Sequence, residues 1–213
     1  MRENKPYKIL LLCGLTGPPL FIVSFFVQAI FKDGYNSLRH PISSLAIGEN
    51  GWVQVTTFII TGLMVFLFAV AVKMKLNKKT VAILLALAGI GLIGSGIFST
   101  DAVYGFPECL PFSDHEFTLH GKLHTLFSLL VFINIPVSCF IMSKYFHRHK
   151  ESGWKYYSLA TGILMLVLFI LIGAAFEQHF GLGNIAGLLQ RLCVITGFIW
   201  LSLLAFRFQN LQN

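Results

Sequence analysis

The chain has 213 residues, of which 55% are hydrophobic and only 12% are charged, and its formal net charge is +7. A soluble domain carries about 25% charged residues, so this composition argues against a soluble globular protein. The basic residues cluster in short segments between apolar runs, which argues against nucleic acid as a partner and is typical of loops beside anionic lipid headgroups.

Six apolar segments follow one another along the chain, and each has about the 20 residues needed to cross roughly 30 Å of hydrocarbon. The sequence therefore predicts an all-α integral membrane protein, with residues 1–213 forming a single bundle of six transmembrane helices. The predicted spans are about 9–31, 55–76, 81–100, 120–146, 156–176 and 188–208. No cleavage-site pattern follows the first segment, so we interpret it as a retained span and not as a signal peptide.

The first connecting segment, residues 32–54, is too long for a tight turn. Proline is favoured in the first turn of a helix, and after Pro41 the residues Ile42 and Leu45 lie on one side. We expect a short amphipathic helix over residues 41–47 that lies at the membrane interface, with Trp52 as an interfacial anchor.

Span three carries a mostly small-residue face that includes Ala82, Ala86, Gly89 and Gly96. Small side chains allow helix backbones to approach closely in a membrane. We therefore expect a neighbouring helix to pack tightly against this face.

The basic residues are distributed unequally between alternate loops. Twelve belong to one side: Arg2, Lys5, Lys8, Lys73, Lys75, Lys78, Lys79, Lys144, Arg148, Lys150, Lys155 and Arg207. Four belong to the other side: Lys32, Arg39, Lys122 and Arg191. Because lysine and arginine accumulate in cytoplasmic loops, we expect both termini in the cytoplasm. The predicted location is the bacterial inner membrane, as a multi-pass protein whose partners are membrane lipids.

The stretch from Asp101 to His124, DAVYGFPECLPFSDHEFTLHGKLH, is polar, acidic and rich in histidine in an otherwise apolar chain. It ends with His120 and His124, whose spacing places both rings on one helix face, with Cβ atoms about 6 Å apart. If the protein carries out chemistry, we expect it here.

One interpretation of these residues is a metal site. His120, His124, Asp101 after span three and His40 in the first loop would supply three or four ligands for zinc, which lowers the pKa of bound water to about 7 and would support hydrolysis. The sequence HGKLH lacks the glutamate of HExxH, so it contains no general base. The alternative is a helix start whose histidine rings bond to loop carbonyls and to Asp101.

Ser43 and Ser44 are the remaining catalytic candidates. Together with the histidines and Asp101 they loosely resemble the Ser/Asp/His set of ceramidase-like membrane hydrolases, although the HxxxH of that pattern is absent from span six. The alternative is that both serines only form hydrogen bonds within the loop, since no base can be assigned to them.

Glu177 and Arg191 flank the last outer turn, and we expect either an ion pair between them or a site for an anionic headgroup or substrate. Arg39 and His40 are further binding candidates. Ionisable groups at membrane depth are costly and usually face the interior of a bundle. Their grouping on one side therefore predicts an outward-facing polar pocket.

The four cysteines, Cys13, Cys109, Cys139 and Cys193, show no metal-binding spacing. Three of them lie in apolar segments, where cysteine behaves as a small hydrophobic residue. Only Cys109 lies in a loop, which leaves a Cys109–Cys193 disulfide open.

Several motifs resemble a bacterial six-helix membrane family known as domain of unknown function 998. They are Gly17-Pro18, Gly34-Tyr35, Ile42-Ser43-Ser44-Leu45, Trp52, Asp101, Gly121 with His124, and Leu188–Arg191. The Pro41-Ile42-Ser43 element with Gly48 also resembles the first outer loop of the Frag1/DRAM/Sfk1 membrane proteins, some of which take part in lipid-anchor remodelling. Neither resemblance supplies a set of catalytic residues.

The function predicted from the sequence is binding or sensing of a lipid or small amphiphile in an outward-facing pocket of His, Asp, Glu and Arg. The alternative is a metal-dependent membrane hydrolase or lipid-remodelling enzyme that uses His120, His124 and Asp101. A transporter is disfavoured because the middle of each predicted span lacks acids, where coupling-ion sites usually lie. Whether the protein is an enzyme, and its oligomeric state, stay open.

Overall fold

The computed structural model describes residues 5–76, 79–103, 105–107, 118–177 and 179–210. The long helices are α1 Lys5–Phe31, α2 Gly51–Leu76, α3 Lys79–Ile97, α4 Leu119–Arg148, α5 Ser152–Phe176 and α6 Ala186–Asn210. By length and composition, six helices can cross a membrane, which confirms the six predicted spans. Among the C-terminal ends of the helices, the one that differs most from its predicted position is that of α3, which lies at Ile97 and was predicted at residue 100.

The six helices form a closed ring in which each helix packs against the next in the chain and α6 packs against α1. Facing glycines bring α2 and α3 together, because a Cβ atom added at Gly62 would lie 2.7 Å from the carbonyl oxygen of Gly89. At Gly96 an added Cβ would lie 3.0 Å from the carbonyl oxygen of Val55. The close approach predicted for the small-residue face of α3 is therefore present.

Aromatic side chains fill much of the interior of the ring. The ring centroid of Phe21 on α1 lies 5.1 Å from that of Phe58 on α2 and 5.3 Å from that of Phe198 on α6. All three side chains are buried. Aromatic pairs at these separations add to the stabilisation from burial itself.

The bundle has two ends with different contents. At one end lie loop 1 (residues 32–50), the segment after α3, and the irregular segment His179–Ile185. We call this the loop-1 end. At the opposite end, Arg207 near the end of α6 donates a 2.9 Å hydrogen bond to Glu151 at the start of α5.

Loop 1 contains a 3₁₀ helix, Ile42–Ala46, which we call the cap helix. The predicted short helix is thus present, but Ser43, Ser44 and the apolar Ile42 and Leu45 are all buried, so it has no polar face directed away from the protein. It packs against α1, α2 and α6 and covers the end of the ring. The sequence predicted that the polar serines would form an exposed face of the cap helix. That prediction is wrong because serine side chains are small enough to be buried in the packing at this end of the bundle.

Candidate functional site

Arg191, in the first turns of α6, is only 3% exposed and connects that helix to loop 1. Its Nη1 atom donates to the carbonyl oxygens of Ser37 at 2.6 Å, His40 at 3.0 Å and Gly187 at 2.9 Å. Its Nη2 atom donates to the hydroxyl of Tyr35. Within the residues that the structure describes, no carboxylate pairs with this buried cation, and backbone oxygens stabilise it instead.

Backbone hydrogen bonds repeat this attachment of loop 1 to α6. The amide of Leu188 donates to the carbonyl of Leu38 at 2.9 Å, and the amide of Gly187 donates to that of Arg39 at 3.2 Å. A Cβ atom at Gly187 would collide with the carbonyl oxygen of His40. A glycine therefore allows the two backbones to meet.

The expected ion pair between Glu177 and Arg191 does not form. The carboxylate of Glu177 lies 3.0 Å from Nε2 of His179, and both side chains are largely exposed. Arg191 points inward to the loop carbonyls, so the two residues lie in different surroundings. The segment His179–Ile185 separates them along the chain, and its length was not evident from the sequence.

His40 is buried within loop 1. Its Nδ1 atom accepts a 2.9 Å hydrogen bond from the backbone amide of Asn36. Its ring packs against Phe106 at 5.1 Å and Tyr35 at 5.5 Å between centroids. These contacts place His40 in the packing of the loop.

A cavity of about 40 Å³ lies inside the ring, under the cap helix. Its lining comes from α1, α2, α3, α4, α6 and the cap helix, and consists of Phe21, Ile42, Ser43, Phe58, Leu92, Ser95, His124, Ser128, Val131, Phe132, Gln190, Val194 and Phe198. In the part of the chain that the structure describes, this lining includes no aspartate, glutamate, lysine or arginine. The volume corresponds to about three water molecules.

His124 is the buried histidine of this cavity, at 6% exposure. Its Nδ1 atom lies 2.9 Å from the carbonyl oxygen of Phe98 and 3.0 Å from that of Ser95. Carbonyl oxygens only accept, so Nδ1 carries the hydrogen, and in the neutral ring Nε2 is left as an acceptor. Nε2 has no hydrogen-bond partner among the described residues. The predicted alternative had the rings bonded to loop carbonyls and to Asp101, whereas His124 bonds to two carbonyls at the end of α3.

Asp101 and Thr118 together form the start of α4. The carboxylate of Asp101 accepts from the backbone amide of Thr118 at 3.1 Å and from its hydroxyl at 2.6 Å. That hydroxyl in turn accepts from the amide of Gly121 at 3.0 Å. A carboxylate at a helix N-terminus is also stabilised by the helix dipole. Asp101 therefore has a structural role as a cap.

The four predicted metal ligands are in four different surroundings. His124 lines the cavity, Asp101 caps α4, and His40 lies within loop 1. His120 is exposed, with its ring 5.6 Å from that of Phe98. Across the described ranges of the chain, no three or more His, Cys, Asp or Glu side chains are arranged to hold a metal ion. This geometry gives no support to the zinc site or to the hydrolase that depends on it.

The two candidate serines differ in position. Ser43 lines the cavity together with His124, although no hydrogen bond joins them in the described structure. Ser44 is completely buried, and its hydroxyl has no hydrogen-bond partner among the described residues. The structure therefore brings together Ser43 and His124 from the predicted set.

Three polar residues of the cavity were missed by the sequence analysis. Ser128 lies one helical turn after His124, and this spacing was the available signal. Its hydroxyl lies 3.0 Å from that of Ser95 on α3. Gln190 accepts a 2.7 Å hydrogen bond from the amide of Ile42 and so connects α6 to the cap helix. No pattern in the sequence indicated that contact.

Two groups in loop 1 have altered proton affinities. Burial raises the pKa of the Tyr35 hydroxyl, although the nearby Arg191 opposes this effect. Burial lowers the pKa of the Lys32 ammonium, opposed by Glu49. The ammonium donates to the carbonyl oxygens of Ile47 and Glu49, at 2.5 Å and 2.6 Å.

Among the described cysteines, Cys13, Cys139 and Cys193 are all free thiols. Cys109 lies outside the described residues. Cys193 is a buried free thiol. A free Cys193 does not support the disulfide with Cys109 that the sequence left open.

The fold and the capped cavity define a class of protein: a helical bundle with six membrane-type helices and, inside the ring, a cavity whose described lining carries no aspartate, glutamate, lysine or arginine. Within that class, the chain belongs to the family described as protein of unknown function DUF998, whose family model matches residues 15–207. This confirms the resemblance found in the sequence, whereas the resemblance to Frag1/DRAM/Sfk1 proteins stays a prediction. No curated protein and no solved structure matches the chain.

Proposed function

We propose that this protein binds or senses a lipid or small amphiphile whose polar group occupies the capped cavity. The observation that supports this most directly is the composition of the cavity wall. Apolar side chains such as Phe21, Phe58 and Val194 make up most of it, and a few hydrogen-bonding groups lie among them. Small-molecule sites commonly combine an apolar lining with a small number of fixed polar groups.

The size of the cavity limits which part of the ligand it can hold. Space for about three waters accepts a small polar group and the first carbons of a chain. Phe132 is half-buried, so this part of the wall adjoins the outer surface of α4. In our proposal the chain of the ligand leaves beside Phe132 and lies among the lipids.

The proposal includes an orientation for the protein. Residues 1–213 form one domain in the bacterial inner membrane, with both termini in the cytoplasm and the loop-1 end outward. The cap helix then lies near the outer interface. The excess of basic residues in the alternate loops supports this arrangement. A reporter fused to the C-terminus is expected to read cytoplasmic, and an external signal would contradict the orientation.

Co-purification of lipids tests the proposed binding. Val194→Phe adds volume directly to the cavity, and Ile199→Phe, at a position 45% exposed on the same helix, is the matched control. Mass spectrometry of purified wild type and of Ile199→Phe should show the same retained amphiphile. Folded Val194→Phe should have lost it, and retention by Val194→Phe at the wild-type level would contradict the proposal.

A further inference from the structure

We infer that the cavity selects an uncharged head group that carries a hydroxyl, as in a fatty alcohol or an acylglycerol. This inference rests on the proposed function and specifies the chemical class of its ligand. It depends on which hydrogen-bonding atoms of the cavity are already engaged and which are unused.

The unused acceptor is Nε2 of His124. Because Nδ1 donates to the carbonyl oxygens of Ser95 and Phe98, the tautomer is fixed and Nε2 retains its lone pair. His124 lines the cavity, and a ligand that donates a hydrogen bond to Nε2 gains a favourable interaction there. The ligand head group must therefore be a donor.

The unused donor is the amide nitrogen of Gln190. Its Oε1 atom is engaged by the backbone amide of Ile42 at 2.7 Å, which leaves the NH₂ group for a ligand acceptor. A hydroxyl both donates and accepts, so it offers the donor that His124 lacks and the acceptor that Gln190 lacks. A carboxylate or phosphate dianion only accepts, and an ammonium only donates.

The charges around the cavity lead to the same class of ligand. The described lining contains no acidic or basic side chain other than His124. Arg191 is adjacent in sequence to Gln190 but is not among the described lining residues, and its Nη atoms bond to Ser37, His40, Gly187 and Tyr35. An ionic head group would therefore find no counter-ion among the described lining residues, and burying an unpaired charge is strongly unfavourable.

Competition binding tests the inference with four probes that share a twelve-carbon chain. Wild-type protein in phosphatidylcholine nanodiscs is loaded with tritiated 1-dodecanol, and unlabelled 1-dodecanol, dodecyl phosphate, dodecylamine or dodecane is added. We expect 1-dodecanol to compete at a concentration at least about fivefold below that of the other three. Equal competition by dodecyl phosphate or dodecylamine would overturn the inference.

Two variants locate the selectivity. His124→Leu removes the acceptor, and Gln190→Glu keeps an oxygen for Ile42 but removes the amide donor. Each should weaken the binding of 1-dodecanol about fivefold and leave the binding affinity of dodecane unchanged. Because His124→Leu also removes bonds between α3 and α4, Gln190→Glu provides the test if that variant does not fold. Unchanged 1-dodecanol affinity in a folded variant would contradict the assigned role.

The failure of this inference can be distinguished from failure of the proposed function. If all four probes bind alike and Val194→Phe abolishes binding of each, the cavity binds amphiphiles but does not select a hydroxyl. If no probe binds the wild type specifically, both the inference and the proposed function are wrong.

Discussion

Arg191 and His124 are both almost completely buried at the loop-1 end, but their hydrogen-bonding atoms are used differently. Both Nη atoms of Arg191 bond to groups of the protein and hold loop 1 against α6. His124 uses only Nδ1 in this way, and its side chain lines the cavity. Nε of Arg191 also has no hydrogen-bond partner among the described residues, but Arg191 does not line the cavity, whereas His124 does. The comparison therefore separates a polar group that holds the fold together from one that lies where a ligand could reach it.

Substitution of Arg191 should have the largest effect on stability. Arg191→Met removes the guanidinium donor to the carbonyl oxygens of Ser37 and His40 and to the hydroxyl of Tyr35, and we expect the free energy of unfolding to fall by about 3 kcal/mol. Arg207→Met, which removes a partly exposed pair with Glu151, should cost less than about 1 kcal/mol. Unfolding in mixed detergent micelles measures both values. Similar losses would show that the Arg191 contacts are no more important than a surface pair.

The two histidines at the start of α4 should respond differently to truncation. His124→Ala removes the hydrogen bonds to Ser95 and Phe98 and should lower the free energy of unfolding by about 2 kcal/mol. His120→Ala removes an exposed ring and should cost less than about 0.5 kcal/mol. The same unfolding assay compares them. Equal effects would restore the idea that the two rings act as a pair, as their spacing suggested.

Asp101 provides a test of the capping role. Asp101→Ala removes the acceptor for both the amide and the hydroxyl of Thr118, and we expect a loss of about 1 kcal/mol. Asp33→Ala, at an exposed position in loop 1, should change stability by less than about 0.5 kcal/mol. A bound metal is not needed for either result. If added zinc raised the free energy of unfolding of the wild type but not that of Asp101→Ala, Asp101 would be a metal ligand and the capping account would be contradicted.

The smallest expected effect is the pH dependence from Tyr35. Its pKa is raised in the folded protein, so the folded state holds this proton more tightly than the unfolded state. Its contribution to stability is therefore complete below pH of about 10 and decreases as the pH rises further. Unfolding midpoints between pH 8 and pH 11 should fall less steeply for Tyr35→Phe than for the wild type. Tyr156→Phe, at an exposed site, is the control, and an identical slope in Tyr35→Phe would contradict the prediction.

The six helices could be predicted from the sequence because burial in a membrane requires long apolar runs, and those runs are clear. The close packing of α3 followed from its small residues, of which Gly89 now lies against Gly62. The cap helix was predicted from Pro41 and the residues after it. Local patterns thus identified the elements and one of their contacts.

The site was harder to predict because it depends on contacts between distant segments. His120 and His124 share a helix face, yet only the second lies deep enough to be buried. Arg191 reaches loop 1, more than 150 positions earlier in the chain, and bonds to backbone oxygens that carry no sequence signal. The bond from Ile42 to Gln190 is equally invisible in the sequence.

The protonation of His124 is the most direct test of the comparison. Solid-state NMR of protein containing ¹⁵N-labelled histidine, in phosphatidylcholine bilayers, distinguishes the two ring nitrogens, and His124→Leu identifies the signals. We predict a protonated Nδ1 and an unprotonated Nε2 whose signal shifts when 1-dodecanol is added. A protonated Nε2 with a bare Nδ1, or an Nε2 signal that 1-dodecanol leaves unchanged, would contradict the account.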